Sequence, residues 1–275
     1  MCSSDLTKFK PGLEQVIIDG VHRVAGKGFE AAPAKAAQAD DDDHIPALSP
    51  QESLAAIRTK PGLKVELVAA EPLVESPVAV DFGPDGRLWV CEMFDYPAGL
   101  DGKYKPGGRI KVLEDRDHDG KYDSATVFLD GLPFPTGVTC WKKGVLICAA
   151  PQIIYAEDTD GDGKADVRKI LYEGFATENY QARVNGLAYA SDGWVYGANG
   201  LIGGKIHGRA DGREVDVGGR DFRFKPDLGA FEPASGLTQQ GRVHDDWGNQ
   251  FGGNNSILIQ HYPLPTAPRA RRRPH

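Results

Sequence analysis

The chain has 275 residues, 34 of them Gly and 19 Pro, with 32 Lys and Arg against 39 Asp and Glu for a formal net charge of −7. That balance argues against a general binder of nucleic acid or anionic membranes, because phosphate contacts need a basic face, and the basic residues cluster only at Arg269, Arg271, Arg272 and Arg273. No stretch approaches the roughly 20 apolar residues that cross a bilayer, since the longest apolar passage, 145–156, is interrupted by Pro151 and Gln152.

The start, MCSSDLTKFKPGLEQ, lacks the apolar core of a signal peptide, so either the chain is not exported or its true start lies upstream. Residues 31–46, AAPAKAAQADDDDHIP, combine an Ala-rich stretch with four consecutive aspartates and show no apolar period. Such a composition predicts a solvated linker, which makes 1–46 a disordered extension ahead of a folded part at 47–275. Ser49-Pro50-Gln51-Glu52 reads as a helix start, with Ser at the N-cap, Pro in the first turn and Glu placed to close a capping box. The helix it opens is short, ending before Pro61-Gly62.

Beyond it the pattern changes to short segments of period two separated by Gly, Pro, Asn and Asp: 63–69, 78–82, 87–93, 109–115 and 125–131. Their β-branched and aromatic content predicts strands, and the absence of long amphipathic helices between them excludes a parallel α/β sheet. A strand–turn–strand unit recurs: VAVDFGPDGRLWV, PTGVTCWKKGVLI and VNGLAYASDGWVY, with a weaker copy in HDDWGNQF. The turn glycines Gly86, Gly144, Gly193 and Gly248 lie 58, 49 and 55 residues apart. A period near 50 residues is that of a four-stranded β-propeller blade. The fold class expected is therefore all-β, a propeller of the six-bladed type. Six blades would need about 320 residues, so the 198 residues from Val78 onward hold about three and a half. That predicts a partial propeller, with the remaining blades of a longer protein as its partner, because an open arc leaves an unpaired apolar sheet face; the alternative is a closed four-blade ring, against which the weak fourth repeat counts.

Of the four cysteines, Cys2, Cys91, Cys140 and Cys148, none forms a Cys-x-x-Cys pair, which removes zinc ribbons, thioredoxin-type chemistry and covalent haem from this stretch. Cys140 and Cys148 flank a predicted hairpin turn at 142–144, and whether they bond depends on its register.

Two acidic loops, Asp115-Arg-Asp117-His-Asp119-Gly-Lys-Tyr-Asp123 and Asp158-Thr-Asp160-Gly-Asp162-Gly-Lys-Ala-Asp166, lie 43 residues apart between the outer strands of successive blades. Aspartates at positions 1, 3 and 5 with Gly at 6 gather oxygens for a hard cation such as calcium. The twelfth positions are Thr126 and Lys169, so no bidentate Glu closes the loops and Asp123 or Asp166 would have to. The alternative is a pair of solvated Asx turns. A second constellation, Gln181, Arg183 and Asn185, precedes a predicted innermost strand, where side chains face the channel mouth. Arg can grip a carboxylate and Asn can fix a carbonyl; the alternative is that they cap the backbone of their own loop. The matching point of the weak fourth repeat gives His244-Asp245-Asp246. A His beside carboxylates can serve as a general base, although adjacent strand residues point to opposite faces. Asn254 and Asn255 read as turn residues. No Gly-x-Ser-x-Gly, His-Glu-x-x-His or P-loop is present.

Three stretches, KPGLKVELVAAEPLVESPVAVDFGPDGRLWVCEM, NYQARVNGLAYASDGWVYGANG and GGRDFRFKPDLGAFEPASG with GRVHDDWGNQFGGNNS, together resemble the N-terminal propeller of the membrane-bound dehydrogenase-like proteins of planctomycetes and verrucomicrobia. That family is distantly similar to the soluble quinoprotein glucose and sorbosone dehydrogenases, six-bladed propellers that hold pyrroloquinoline quinone (PQQ) with calcium. The resemblance implies an exported protein of the periplasm or cell envelope, continued by helical repeats and a c-type haem domain. It implies oxidation of a sugar or other alcohol, a base taking the hydroxyl proton while hydride passes to the quinone. On this resemblance Arg183, Asn185 and Gln181 are the cofactor-binding candidates. The quinoproteins place a His base just ahead of the strand that here reads VNGLAYASDGWVYG, and this sequence has Gln181-Ala182-Arg183 instead, leaving His244 as the candidate base. The rival expectation is a non-catalytic carbohydrate- or protein-binding propeller stapled by calcium.

Overall fold

A computed structural model of the chain describes residues 48–209 and 212–264. The expectations for residues 1–46, Cys2 and the arginine cluster lie outside the described residues. Helix α1 (Pro50–Ala56) starts as its sequence requires: Ser49 Oγ accepts from Glu52 N–H at 3.2 Å while the Glu52 carboxylate accepts from Ser49 N–H at 2.8 Å.

The expected strand at 63–69 does not form. Leu63 and Val65 stay exposed, and the segment meets the first sheet only at its end. Val68 offers its carbonyl to Tyr122 N–H, and Ala69, Leu73 and Val74 cover Leu88, Val90 and Leu113. Those three belong to the first sheet, an antiparallel meander of β1 (Pro77–Phe82), β2 (Leu88–Glu92), β3 (Gly108–Glu114) and β4 (Ser124–Leu132). A second meander follows in β5 (Gly137–Trp141), β6 (Gly144–Ala149), β7 (Gln152–Glu157) and β8 (Val167–Phe175). The third is interrupted: β9 (Asn185–Tyr189) and β10 (Val195–Ala198) are followed by a hairpin, β11 (Gly204–Gly208) and β12 (Glu214–Asp216), before β13 (Asp221–Lys225) and β14 (Ala230–Ala234) complete it. The hairpin joins the second sheet, β11 pairing with β8 to extend it to six strands. A last sheet holds β15 (Val243–His244), β16 (Gln250–Asn254) and β17 (Ile257–Tyr262).

The first strands of successive sheets lie side by side, β1 by β5, β5 by β9 and β9 by β15. Four sheets sharing an inner edge in this way are propeller blades, among the described residues three complete and one of three strands. Period-two alternation explains the packing between them. Trp89 and Cys91 face the second blade with Val138, Val145 and Ile147, whereas Leu88 and Val90 face the 69–74 segment. Between the second and third blades Tyr172, Phe175, Phe222 and Phe224 form an aromatic core, with Phe175 and Phe222 ring centroids 5.1 Å apart. Among the described residues the two ends of the arc are apolar and exposed: Phe82 on β1 is 65% exposed and Leu258 on β17 is 97% exposed.

The repeated turn closes alike in three blades, through Gly83 N–H to Arg87 O, Ala190 N–H to Trp194 O and Asp245 N–H to Asn249 O. Gly86, Gly193 and Gly248 supply its left-handed residue, at φ 82°, 77° and 81°. Gly144 is different. It begins β6 opposite Trp141, Lys142 takes the left-handed φ of 54°, and a Cβ on Gly144 would run into the Ala156 carbonyl. In this hairpin Gly137 faces Cys148 and Cys140 faces Val145. The two cysteines are therefore three positions out of register and both are free thiols.

Candidate functional site

The meander sorts the loops onto two rims. Each blade's inner strand is entered from one rim, where the second-to-third-strand loops also lie. The tight turns after the inner strands and the loops between third and fourth strands fall on the other rim. On the entry rim the 93–107 loop of the first blade meets the loops that enter the second, third and fourth blades. Tyr96 Oη accepts from Gln181 Nε2 at 2.9 Å, Gln240 Nε2 donates to Gln181 O at 3.1 Å, and Thr136 Oγ1 donates to Val184 O at 2.5 Å. Among them opens a cleft of about 480 Å³ lined by Ser76, Met93, Tyr96, Thr136, Tyr180 and Gln240.

Behind the Tyr180 ring lies a charged couple. Arg183 is 4% exposed, its guanidinium carbon 4.2 Å from the Tyr180 ring centroid and 4.9 Å from that of Phe134. Its Nη2 donates to Thr177 O at 2.7 Å, and its Nε has no hydrogen-bond partner. Burial lowers the Arg183 pKa, against the opposing pull of Tyr180, Asp95 and Glu178. Asp95 is fully buried; Oδ2 accepts from Phe134 N–H at 2.7 Å and Gly107 N–H at 3.2 Å, while Oδ1 is unpartnered.

Sequence reasoning missed Asp95, Tyr96 and Tyr180. A loop acid between aromatics, as in FDYP at 94–97, is too common a pattern to single out, and only the meeting of three loops gives it meaning. The candidate Asn185 is spent on backbone: Nδ2 donates to Arg183 O at 2.8 Å and Gln239 O at 2.7 Å, and Oδ1 accepts from Gly241 N–H at 2.8 Å. It ties together the loops entering the third and fourth blades, the capping alternative raised by its sequence. Gly200, at φ 80°, backs onto the same place, where a Cβ would strike Ala182 and the Arg183 carbonyl.

His244 is not brought to this group. It ends β15 just before the Asp245 turn, as Tyr189 ends β9 before the Ala190 turn, which puts it at the opposite end of the inner strand from the entry rim. Its neighbour Asp245 folds its own turn, accepting from Trp247 N–H at 3.0 Å and from Asn249 N–H and Nδ2 at 2.8 Å.

The acidic loops, β3–β4 and β7–β8, also lie on the far rim. The first gathers Asp115, Asp117 and Asp119 with carboxylate oxygens within 4.8 Å of one another, and the second gathers Asp158, Asp160 and Asp166. Asp123 instead accepts from Arg116 N–H and Asp162 from Lys164 N–H. Asp158 takes the N–H groups of Gly161 at 2.6 Å and Gly163 at 2.8 Å, which hold its carboxyl below the usual range.

Between the third and fourth blades a buried ion pair carries no site. Arg242 and Asp221 are both fully buried, with Nη1 and Oδ2 2.8 Å apart. Asp221 accepts in addition from Asn199 N–H, Thr238 N–H and Thr238 Oγ1, and the Arg242 guanidinium lies 5.2 Å from the Tyr196 ring centroid and 5.0 Å from that of Tyr262.

No curated protein matches the chain. Among solved structures it is similar to a Thermus thermophilus protein described as an oxidoreductase (glucose dehydrogenase), at 16% identity over 75% of this chain and 67% of that one, with a TM-score of 0.46. It is similar to the periplasmic gluconolactonase of Pseudomonas aeruginosa, at 14% identity over 73% of this chain and 60% of that one, with a TM-score of 0.39. The computationally designed Ika4 protein gives 14% identity, 74% and 99% coverage and a TM-score of 0.35. The chain spans about two thirds or less of the two natural structures, and likeness at this level says nothing of activity. Residues 49–275 match the model of the domain of unknown function DUF7133, and the chain belongs to that family.

Proposed function

We propose that this propeller binds a small polyhydroxylated molecule, a carbohydrate or other alcohol, in the entry-rim cleft. The composition of that cleft supports the reading: Tyr96 and Tyr180 offer ring surface to the C–H faces of such a ligand, while Thr136 Oγ1, its proton given to Val184 O, can accept from a ligand hydroxyl and Gln240 keeps its amide oxygen and second amide proton for others. A largely apolar and aromatic wall with a few convergent polar groups is the usual form of a small-molecule site.

Oxidation of that ligand by a quinone, the reaction implied by the dehydrogenase resemblance, is the second reading, and two observations weigh against it. The described histidines all lie away from the cleft: His244 at the far end of β15, His118 in an acidic loop, His207 on β11 and His261 on β17. PQQ carries three carboxylates, whereas no cation among the described residues lines the cleft: Arg183 is stacked behind the Tyr180 ring, and Arg109 is paired with Glu75 and Glu92. These residues do not fit that group, and the binding reading is the one the geometry favours. On the far rim we assign the acidic loops to structural calcium, each closing one blade's outer hairpin with three carboxylates.

Calorimetric titration of the full chain with a sugar and polyol panel tests the reading, run beside a dye-linked oxidation assay with added PQQ and calcium. Saturable binding without turnover is the expected result. Quinone-dependent turnover would establish the dehydrogenase in its place, and no binding to any panel member would remove the proposal.

A further inference from the structure

Two polar atoms next to the cleft are left without partners, Asp95 Oδ1 and Arg183 Nε. A buried polar atom that makes no hydrogen bond is costly and uncommon, and calls for an explanation at each occurrence. These two have opposite roles, one an acceptor and the other a donor. They are also joined through Phe134, whose N–H donates to Asp95 and whose ring carries the Arg183 guanidinium. The couple is one ring from the cleft, because Tyr180 both lines the cleft and stacks on Arg183.

The backbone around Tyr180 is strained as well. Ser76 in the cleft wall has φ 48°, and Tyr104 and Phe134, the two aromatics packed on Tyr180, have φ 66° and 46°. Left-handed conformations are rare for bulky side chains, and such strain gathers at ligand clamps and moving parts.

We propose that Asp95 and Arg183 are the specificity floor of the cleft: when Tyr180 moves off the guanidinium, a ligand hydroxyl donates to Asp95 Oδ1 while it or its neighbour accepts from Arg183 Nε. The inference rests on the polyol reading of the cleft and deepens it by setting the charge of the ligand. An acid that pairs with Arg183 is opposed by the Asp95 carboxylate and leaves Oδ1 without a donor, and an amine that pairs with Asp95 is opposed by Arg183 and leaves Nε without an acceptor, whereas a hydroxyl is uncharged and both donates and accepts. The site therefore selects a neutral polyol over its acidic and amino counterparts.

The test is a titration of the full chain with glucose, gluconate and glucosamine, repeated on Asp95→Asn. The amide that replaces the carboxylate can still accept from Phe134 and Gly107 through its oxygen, so the loop clamp survives, but it turns the free acceptor into a donor. On the unmutated chain glucose should bind at least ten-fold more tightly than gluconate or glucosamine. In D95N glucose should weaken while gluconate tightens about ten-fold, a gain that a damaged fold does not produce. Sugar binding with equal affinity across the three probes, or D95N with the original preference, would overturn the inference and leave the polyol reading standing. No sugar binding to the unmutated chain would overturn both. If D95N does not fold, the three-probe charge series on the unmutated chain decides alone.

Discussion

Replacing Arg242 by Met should remove a large part of the stability of this propeller. Arg242 and Asp221 are both at 0% exposure, so R242M leaves a buried carboxylate without its cation, a change that costs about 3 to 5 kcal/mol. Asp221 keeps three other donors, Asn199 N–H, Thr238 N–H and Thr238 Oγ1, which argues for the lower end. The carbonyl of Ser235 and Oε1 of Gln250 lose a donor at the same time, adding about 1 kcal/mol. Methionine keeps thioether contact with Tyr196 and Tyr262 and limits the cavity. The expected loss is about 4 kcal/mol, against the 5 to 15 kcal/mol of a typical domain. D221N/R242M removes both charges and should recover about 2 kcal/mol relative to the sum of the single variants. Urea unfolding of the four species, followed by tryptophan fluorescence, measures each value. A loss under about 1 kcal/mol for R242M, or strict additivity in the cycle, would refute the reasoning that this pair docks the fourth blade on the third.

Asn185→Ala should cost about 2 to 4 kcal/mol, because three backbone groups lose their partner. The nearly isosteric N185D should cost at least as much, since it turns an oxygen toward the Arg183 and Gln239 carbonyls; a stable N185D would contradict the tie between the third and fourth blades. For the acidic loops, millimolar calcium added to the chelated protein should raise Tm by about 5 to 10 °C if it stands near 100 times Kd, and D158N should reduce that rise. An unchanged melting curve would leave the loops as Asx turns. Asp158 has a folded pKa below its ordinary value, so its contribution is present above the usual carboxylate range and is lost as pH falls through that lowered value. Acid titration of the loop carboxylates by NMR checks the sign. Burial pushes up the thiols of Cys91 and Cys148, and burial with the Asp81 charge pushes Cys140 up to about 12. Iodoacetamide at pH 8 should thus leave all three unmodified in the native chain and label all three in urea, as read by peptide mass spectrometry; labelling of native Cys148 would place it outside the core.

Local chemistry carried much of the fold. The capping box at Ser49 and Glu52, the turn glycines Gly86, Gly193 and Gly248, and the alternation of β1 to β4 each depend on neighbours a few residues away, so the sequence alone determined them and, through their period, the blade. Where a segment's partner lies far along the chain, local pattern misleads. Residues 63–69 alternate as a strand does, yet no strand pairs with them, and only their end reaches the first sheet, through Val68 to Tyr122 and Ala69 to the Leu88 cluster. The β11–β12 hairpin follows β10 but pairs with β8 of the blade before. The acidic loops were legible as sequence units, but which three carboxylates of each converge is decided by the folded geometry of the turn.

The entry-rim cleft is the extreme case. Its walls come from loops near residues 76, 95, 136, 180 and 240, whose proximity is fixed only when four inner strands lie side by side. Arg183 and Asn185 could be marked as polar residues ahead of an inner strand, but their different uses, one stacked between rings and the other bound to three backbone groups, follow from what the neighbouring blades bring to them. Period and turn chemistry thus determined the repeat. Only tertiary structure decided that Asp95 stands with Arg183 and that His244 stands apart, because strand direction assigns each residue to a rim and the order of the blades assigns its neighbours.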